Sequence, residues 1–260
     1  MTTASSMAAA NAELPYSVSW RTEWKYRFIY WVTSYPALMP LARLRYSHIP
    51  ELLVKPDSEL VIEGYGRSGS TFANFAFQSA QSVPVNTVHH THAAAQVILA
   101  ARMRLPTLVI VRRPLDAALS HMVRHNVTAR PALAAWVRFH RRVLPYRDRV
   151  VVAPFESITS DFGAVVRRIN QKFGTNFAEF KHTRENEEAV FERIRQRNRT
   201  LWRVADRPRA IAIPRGDRES LKASLRLQLL TKELAPLLKK ANQLHAEILQ
   251  PRECDLLTRR

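Results

Sequence analysis

A three-layer α/β/α fold around a central parallel sheet is predicted by two observations. From Glu59 onward short apolar runs alternate with helix-length segments, and the run "TLVIV" (residues 107–111) is continuously apolar, as a strand buried on both faces must be. A third observation points to a ligand. The stretch "ELVIEGYGRSGSTFANFAFQSA" (59–80) reads as strand, Gly/Ser-rich turn and helix, an arrangement in which unpaired N–H groups and the helix dipole converge on an anion.

Taken in order, "LVIE" is the first strand and residues 71–80 the first helix of the sheet region, followed by "VPVNTV" as a second strand and an alanine-rich helix over 93–103. After "TLVIV", Pro114 stands in the first turn of a helix that runs to about His125, a position where its missing N–H costs nothing. A helix over 131–142 precedes a fourth strand, "RVVVAPF", and a helix over 161–173 stops at Gly174. Beyond Phe177 the chain is polar and arginine-rich, with "ERIRQRNRTLWR" as a surface helix. The last element, 221–249, carries leucines at helical spacing and a kink or a break at Pro236. Parallel sheets of this kind bind ligands at the carboxyl ends of their strands.

Three regions are expected: a loose tail over 1–15, an aromatic and basic helical segment over 16–58, and one α/β domain over 59–250. The opening residues have small side chains without a basic stretch and apolar run in series, so they do not read as a signal peptide. In "SWRTEWKYRFIYWVTSYPALMPLARLRYSHIP" the uncharged run from Phe28 to Ala42 is shorter than the ~20 residues of a spanning helix, and Pro36 and Pro40 interrupt it. Two readings stay open for it: helices packed on the domain's flank, or an interfacial anchor giving peripheral membrane contact through residues 16–45.

The 260 residues carry 40 Lys+Arg against 22 Asp+Glu, a net charge of +18 that attracts polyanions, and the excess is mostly arginine, whose donor fork suits phosphate and sulfate. A hydrophobic share of 46% excludes a disordered chain, and the single cysteine, Cys254, excludes an intrachain disulfide and suits a cytoplasmic setting.

Against the phosphate-loop pattern G-x-x-x-x-G-K-[ST], "GYGRSGST" matches at Gly64, Gly69 and Thr71 but has Ser70 in place of the lysine that holds triphosphates. The acidic residue expected after an apolar strand to hold magnesium is also missing; Arg112 and Arg113 follow "TLVIV" instead. What is left is an anion cradle with Arg67 inside it and a second strand ending in arginine.

Those residues resemble the sulfotransferases that use 3′-phosphoadenosine 5′-phosphosulfate (PAPS). "GYGRSGST" is similar to their 5′-phosphosulfate loop, and "VIVRRPLDAALSHMVRH" keeps the spacing of their 3′-phosphate motif at Arg112, Pro114, Asp116 and Ser120. "VVVAPFESI" resembles a third segment, with Phe155 at the tyrosine position used near the adenine. The resemblance spans roughly residues 59–174 and implies a phosphate-loop-like sulfotransferase fold with PAPS as donor and no metal. It also implies phosphosulfate binding by Gly66, Arg67, Ser68, Gly69, Ser70 and Thr71, and 3′-phosphate binding by Arg112 and Ser120, with Arg215 in "IPRGDRESLK" as a further contact.

The family's base lies in a Lys-Thr-His segment, which "VHHTHAAA" resembles. His92 takes the histidine position and His90 the lysine position, with Arg67 and His90 offsetting charge and His92 a base of near-neutral pKa. Glu63 stays open as a carboxylate base or a structural residue, and zinc held by His89, His90 and His92 is a further alternative. So are a polyanion-binding module and a small-molecule kinase on the same scaffold. The expected partner is a hydroxyl-bearing acceptor, carbohydrate or lipid-like and anionic or membrane-borne; no nucleic-acid motif appears.

Overall fold

The structure, a computed structural model, describes residues 18–41, 53–201 and 216–250. Its elements are α1 (Trp20–Val32), β1 (Leu60–Gly64), α2 (Ser70–Ala80), β2 (Thr87–His89), α3 (Ala94–Met103), β3 (Thr107–Val111), α4 (Pro114–His125) and α5 (Ala129–Val143). There follow β4 (Val151–Pro154), α6 (Phe155–Ser160), α7 (Phe162–Phe173), α8 (Arg184–Leu201), α9 (Gly216–Leu229) and α10 (Ala235–Leu249). The tail over 1–15 and Arg215 lie outside the described residues.

The four strands form one parallel sheet in the order β2-β1-β3-β4, with Ile62 beside both His89 and Leu108, and Ile110 beside both Gly64 and Ala153. Successive β3 side chains enter opposite layers. Val109 and Val111 pack with α1, α3, α4, α5, α9 and α10, whereas Leu108 and Ile110 pack with α2, α7 and α8. This is the three-layer α/β/α arrangement expected, and the pleat explains why "TLVIV" has no polar face.

Local chemistry fixes the helix ends. Asp161 caps α7 by accepting from the Ala164 N–H at 3.0 Å, and Gly174 ends it in the left-handed region. Pro114 opens α4 as expected, and Asn126 closes it at φ 51°.

Three expectations need correction. The second strand is only Thr87–His89, because Pro84 brings no ladder donor and the Gln78 side chain takes both backbone groups of Val85, donating to its carbonyl at 2.7 Å and accepting from its N–H. The fourth strand is trimmed to Val151–Pro154, since Phe155 already begins α6. The C-terminal element is broken into two helices, but not at Pro236. A turn over 230–234 separates them, and Pro236 stands in the first turn of α10, where proline is tolerated.

The N-terminal segment packs on the domain. Tyr26 and Val32 of α1 are buried in its cores, and the Thr33 carbonyl accepts from the Ala95 N–H at 3.1 Å. None of the described helices is long and apolar enough to cross a membrane.

Candidate functional site

The carboxyl ends of β1, β2 and β3 bring the sequence-predicted residues to one edge of the sheet. The turn over 65–69 leaves β1 and enters α2 through Gly69, whose φ of 89° only glycine adopts without strain. Gly66 serves a different purpose. A Cβ there would lie 2.2 Å from His121 Nε2, so the absence of a side chain lets the imidazole sit beneath the loop.

Arg67 occupies the left-handed region at φ 68°, and its Nε donates to Ser120 Oγ at 3.0 Å. Arg112 Nη1 donates to the Arg67 carbonyl at 2.9 Å, and the Arg112 guanidinium lies 4.4 Å from the Phe155 ring centroid. Phe155 also borders Gly69. The loop and the second arginine motif are thus joined side chain to side chain and side chain to backbone. Ser68 is fully buried, and its Oγ has no hydrogen-bond partner among the described residues, an orphan of the kind an anion in the cradle would satisfy. Ser70 is buried at the head of α2 with Thr71 beside it.

On the neighbouring strand end, His90 and His92 also adopt positive φ, 75° and 52°. Such conformations in non-glycine residues persist only where surrounding contacts impose them, and they cluster at functional sites. Glu63 supplies those contacts. From full burial at the end of β1 it accepts from the Thr91 N–H and hydroxyl through Oε1, and from the His92 N–H at 2.9 Å through Oε2. Burial pushes its carboxyl up to about 7. With both oxygens engaged and no surface exposed, Glu63 holds the backbone of the histidine turn in place.

The His92 ring lies with Nδ1 3.0 Å from the Gly64 carbonyl. Nδ1 is therefore the protonated nitrogen, and the lone pair is on Nε2. Burial, then the charge of Arg67, brings its pKa down to about 4, although the Gly64 contact opposes this. This corrects the near-neutral value expected: His92 is unprotonated across the physiological range, in the state that accepts a proton. His90 is also held well below its ordinary value, by burial and then by His92, Arg197, His89 and Arg67. It is neutral here, so any charge it offers a leaving group must be drawn on by a bound anion.

Sequence reasoning missed four residues. His121 stacks on Tyr65 at 4.2 Å, and the Tyr26 hydroxyl bonds both the Tyr65 hydroxyl at 2.9 Å and His121 Nδ1 at 3.0 Å, which ties α1 to the loop. Tyr65 also donates to the Ala132 carbonyl at 2.9 Å. Arg197 of α8 is near enough to His89 and His90 to depress both. Nothing in the sequence separates it from its neighbouring arginines. Among the described residues no group of three or more His, Cys, Asp or Glu side chains is placed to hold a metal ion.

No family model and no curated protein matches the chain. Among solved structures, mouse sulfotransferase SULT7A1 complexed with PAP is similar at a TM-score of 0.38 and 12% identity, over 75% of this chain and 94% of that one.

Proposed function

We propose that the chain is a sulfotransferase that moves the sulfuryl group of PAPS to a hydroxyl of a carbohydrate or lipid-like acceptor. The observation that carries this reading is the bonded unit of Arg67, Ser120 and Arg112 at one sheet edge, with the orphaned Ser68 hydroxyl inside the loop. PAPS presents two oxyanions, a 5′-phosphosulfate and a 3′-phosphate, and two adjoining arginine sites without a triphosphate lysine match that demand.

In this reading the loop N–H groups, Arg67, Ser68, Ser70 and Thr71 hold the phosphosulfate, and Arg112 and Ser120 hold the 3′-phosphate. His92 Nε2 takes the acceptor's hydroxyl proton as that oxygen bonds to sulfur and the sulfur–oxygen bond to the 5′-phosphate breaks. Arg67 offsets charge on the departing phosphate, and Glu63 positions His92 through the backbone.

Calorimetric titration with adenosine 3′,5′-bisphosphate and with Mg-ATP, repeated on Arg112→Ala, tests the donor site. Micromolar bisphosphate binding, weakened by the substitution and with little ATP binding, is expected. A preference for Mg-ATP would instead support a kinase, and loss of all nucleotide binding a polyanion-binding module. With an acceptor in hand, His92→Ala should lose turnover by about a hundredfold or more while keeping bisphosphate affinity.

A further inference from the structure

The outer face of α1 differs from the rest of the described surface. Trp20, Trp24, Phe28 and Trp31 are 72%, 64%, 48% and 43% exposed, and at the ~100° per residue of a helix they fall with Arg27 in one sector. The other side of the same helix buries Tyr26 and Val32, so α1 is apolar both where it packs and where it meets solvent. Beside the outer face lies a cavity of about 540 Å³ between α1, α5 and α10, lined by Trp24, Phe28 and Trp31 together with Arg27, Arg130 and Arg138. Among the described residues no carboxylate pairs with Arg27 or Arg138, while Arg130 donates to the Glu233 carbonyl at 3.3 Å.

We propose that this face seats the protein on an anionic lipid bilayer, with the aromatic rings at headgroup depth and the arginines on lipid phosphates. Tryptophan and arginine together match the mixed apolar and anionic character of that interface, and the contact is peripheral because no described helix spans. Charge complementarity favours lipid over the alternatives. A second copy would bring another +18 chain against unpaired arginines, and residues 1–17 offer mostly small side chains and one carboxylate, Glu13. The inference stands apart from the nucleotide reading, since none of these residues belongs to the loop or the histidine turn.

The test is flotation of the full chain with vesicles of phosphatidylcholine alone and of phosphatidylcholine mixed with phosphatidylserine, with tryptophan emission followed in parallel. Binding to the mixed vesicles, a blue shift, weakening by salt, and at least about tenfold poorer binding to phosphatidylcholine alone are expected. Trp24→Ser/Phe28→Ser/Trp31→Ser should lower the partition about tenfold or more, with the circular-dichroism melt checked alongside. Arg27→Gln/Arg138→Gln, which leaves the helix packing untouched, should do the same and carries the test if the triple variant fails to fold. Absence of vesicle binding, or binding that neither variant changes, overturns the proposal. So does a dimer in light scattering that the triple variant dissolves, which would make the face a self-contact, and so does vesicle binding that appears only after residues 2–17 are removed.

Discussion

The turn after β1 and the turn after β2 meet at one sheet edge, and both hold non-glycine residues at positive φ, yet the groups behind them differ. Behind the anion loop stand Tyr65, Tyr26 and His121, which are hydroxyls and an imidazole kept neutral by burial. Behind the histidine turn stands one buried carboxyl, Glu63, that titrates at about 7. The cradle is thus fixed by groups whose charge does not change near neutrality, and the turn carrying the proposed base by a group whose charge does. An anion site needs a constant pose, whereas a base can be tuned through its support.

Acid should break this arrangement most completely. Burial lowers His89 and His92 to about 4 and His140 to about 3, and holds His90 and His121 well below the ordinary histidine value. For a group lowered on folding, stability is fully present above the unfolded pKa and is lost as pH falls from about 6.5 towards the folded value. Glu63 runs the other way. Its raised pKa adds stability below about 4.5 that is lost as pH rises through about 7. Between these limits several lowered histidines oppose one carboxyl, so the fold should melt cooperatively before pH 4. Glu63→Gln should remove the carboxyl's decline across about pH 4.5–7 and leave the acid limb to the histidines. Circular-dichroism melts across pH 4–8 check both, and a midpoint indifferent to acid would mean that the histidines are not buried neutral.

Removing Glu63 altogether comes next. Glu63→Ala leaves the buried Thr91 N–H, the His92 N–H and the Thr91 hydroxyl without their acceptor, at a cost of about 3 kcal/mol in urea unfolding. His92 would leave its left-handed pose, so turnover should fall while bisphosphate binding, which in the proposed reading depends on the other turn, is largely kept. Gly66→Ala sharpens the loop side of the comparison. The added methyl meets His121 Nε2, and overpacking of this kind costs about 2 kcal/mol. In a His121→Ala background the same substitution should cost less than about 0.5 kcal/mol, because the atom it strikes is gone. Additive costs would place the strain in the loop backbone.

The sequence made the loop easier to read than what supports it. The apolar run 60–62, Gly69 and the helix start declare strand, turn and helix within a dozen residues. Arg112 and Ser120 are legible through the resemblance, whose motif they match in spacing. His121 is the residue next to Ser120, but which neighbour in a helix faces the loop depends on packing with Tyr26, 95 positions away. Gln78 shortened β2 by a side-chain bond that no strand propensity contains. Glu63 left two readings open because its position at the strand end is visible in sequence, whereas the engagement of both oxygens is not.

The smallest effect concerns Phe155, and it tests whether the ring or the guanidinium organises the proposed 3′-phosphate site. Arg112 has two supports there, the Arg67 carbonyl at 2.9 Å and the Phe155 ring face. Phe155→Leu keeps most of the volume and removes the ring quadrupole, so only the cation–π contribution is lost, about 0.5–1 kcal/mol at a half-buried site. With the carbonyl bond intact the guanidinium keeps its place, and bisphosphate affinity should fall by less than about fivefold, well short of Arg112→Ala. If both substitutions weaken binding equally, the ring contacts the nucleotide in its own right, as the tyrosine position of the resembling family implies, and stacking on Arg112 is only its resting place.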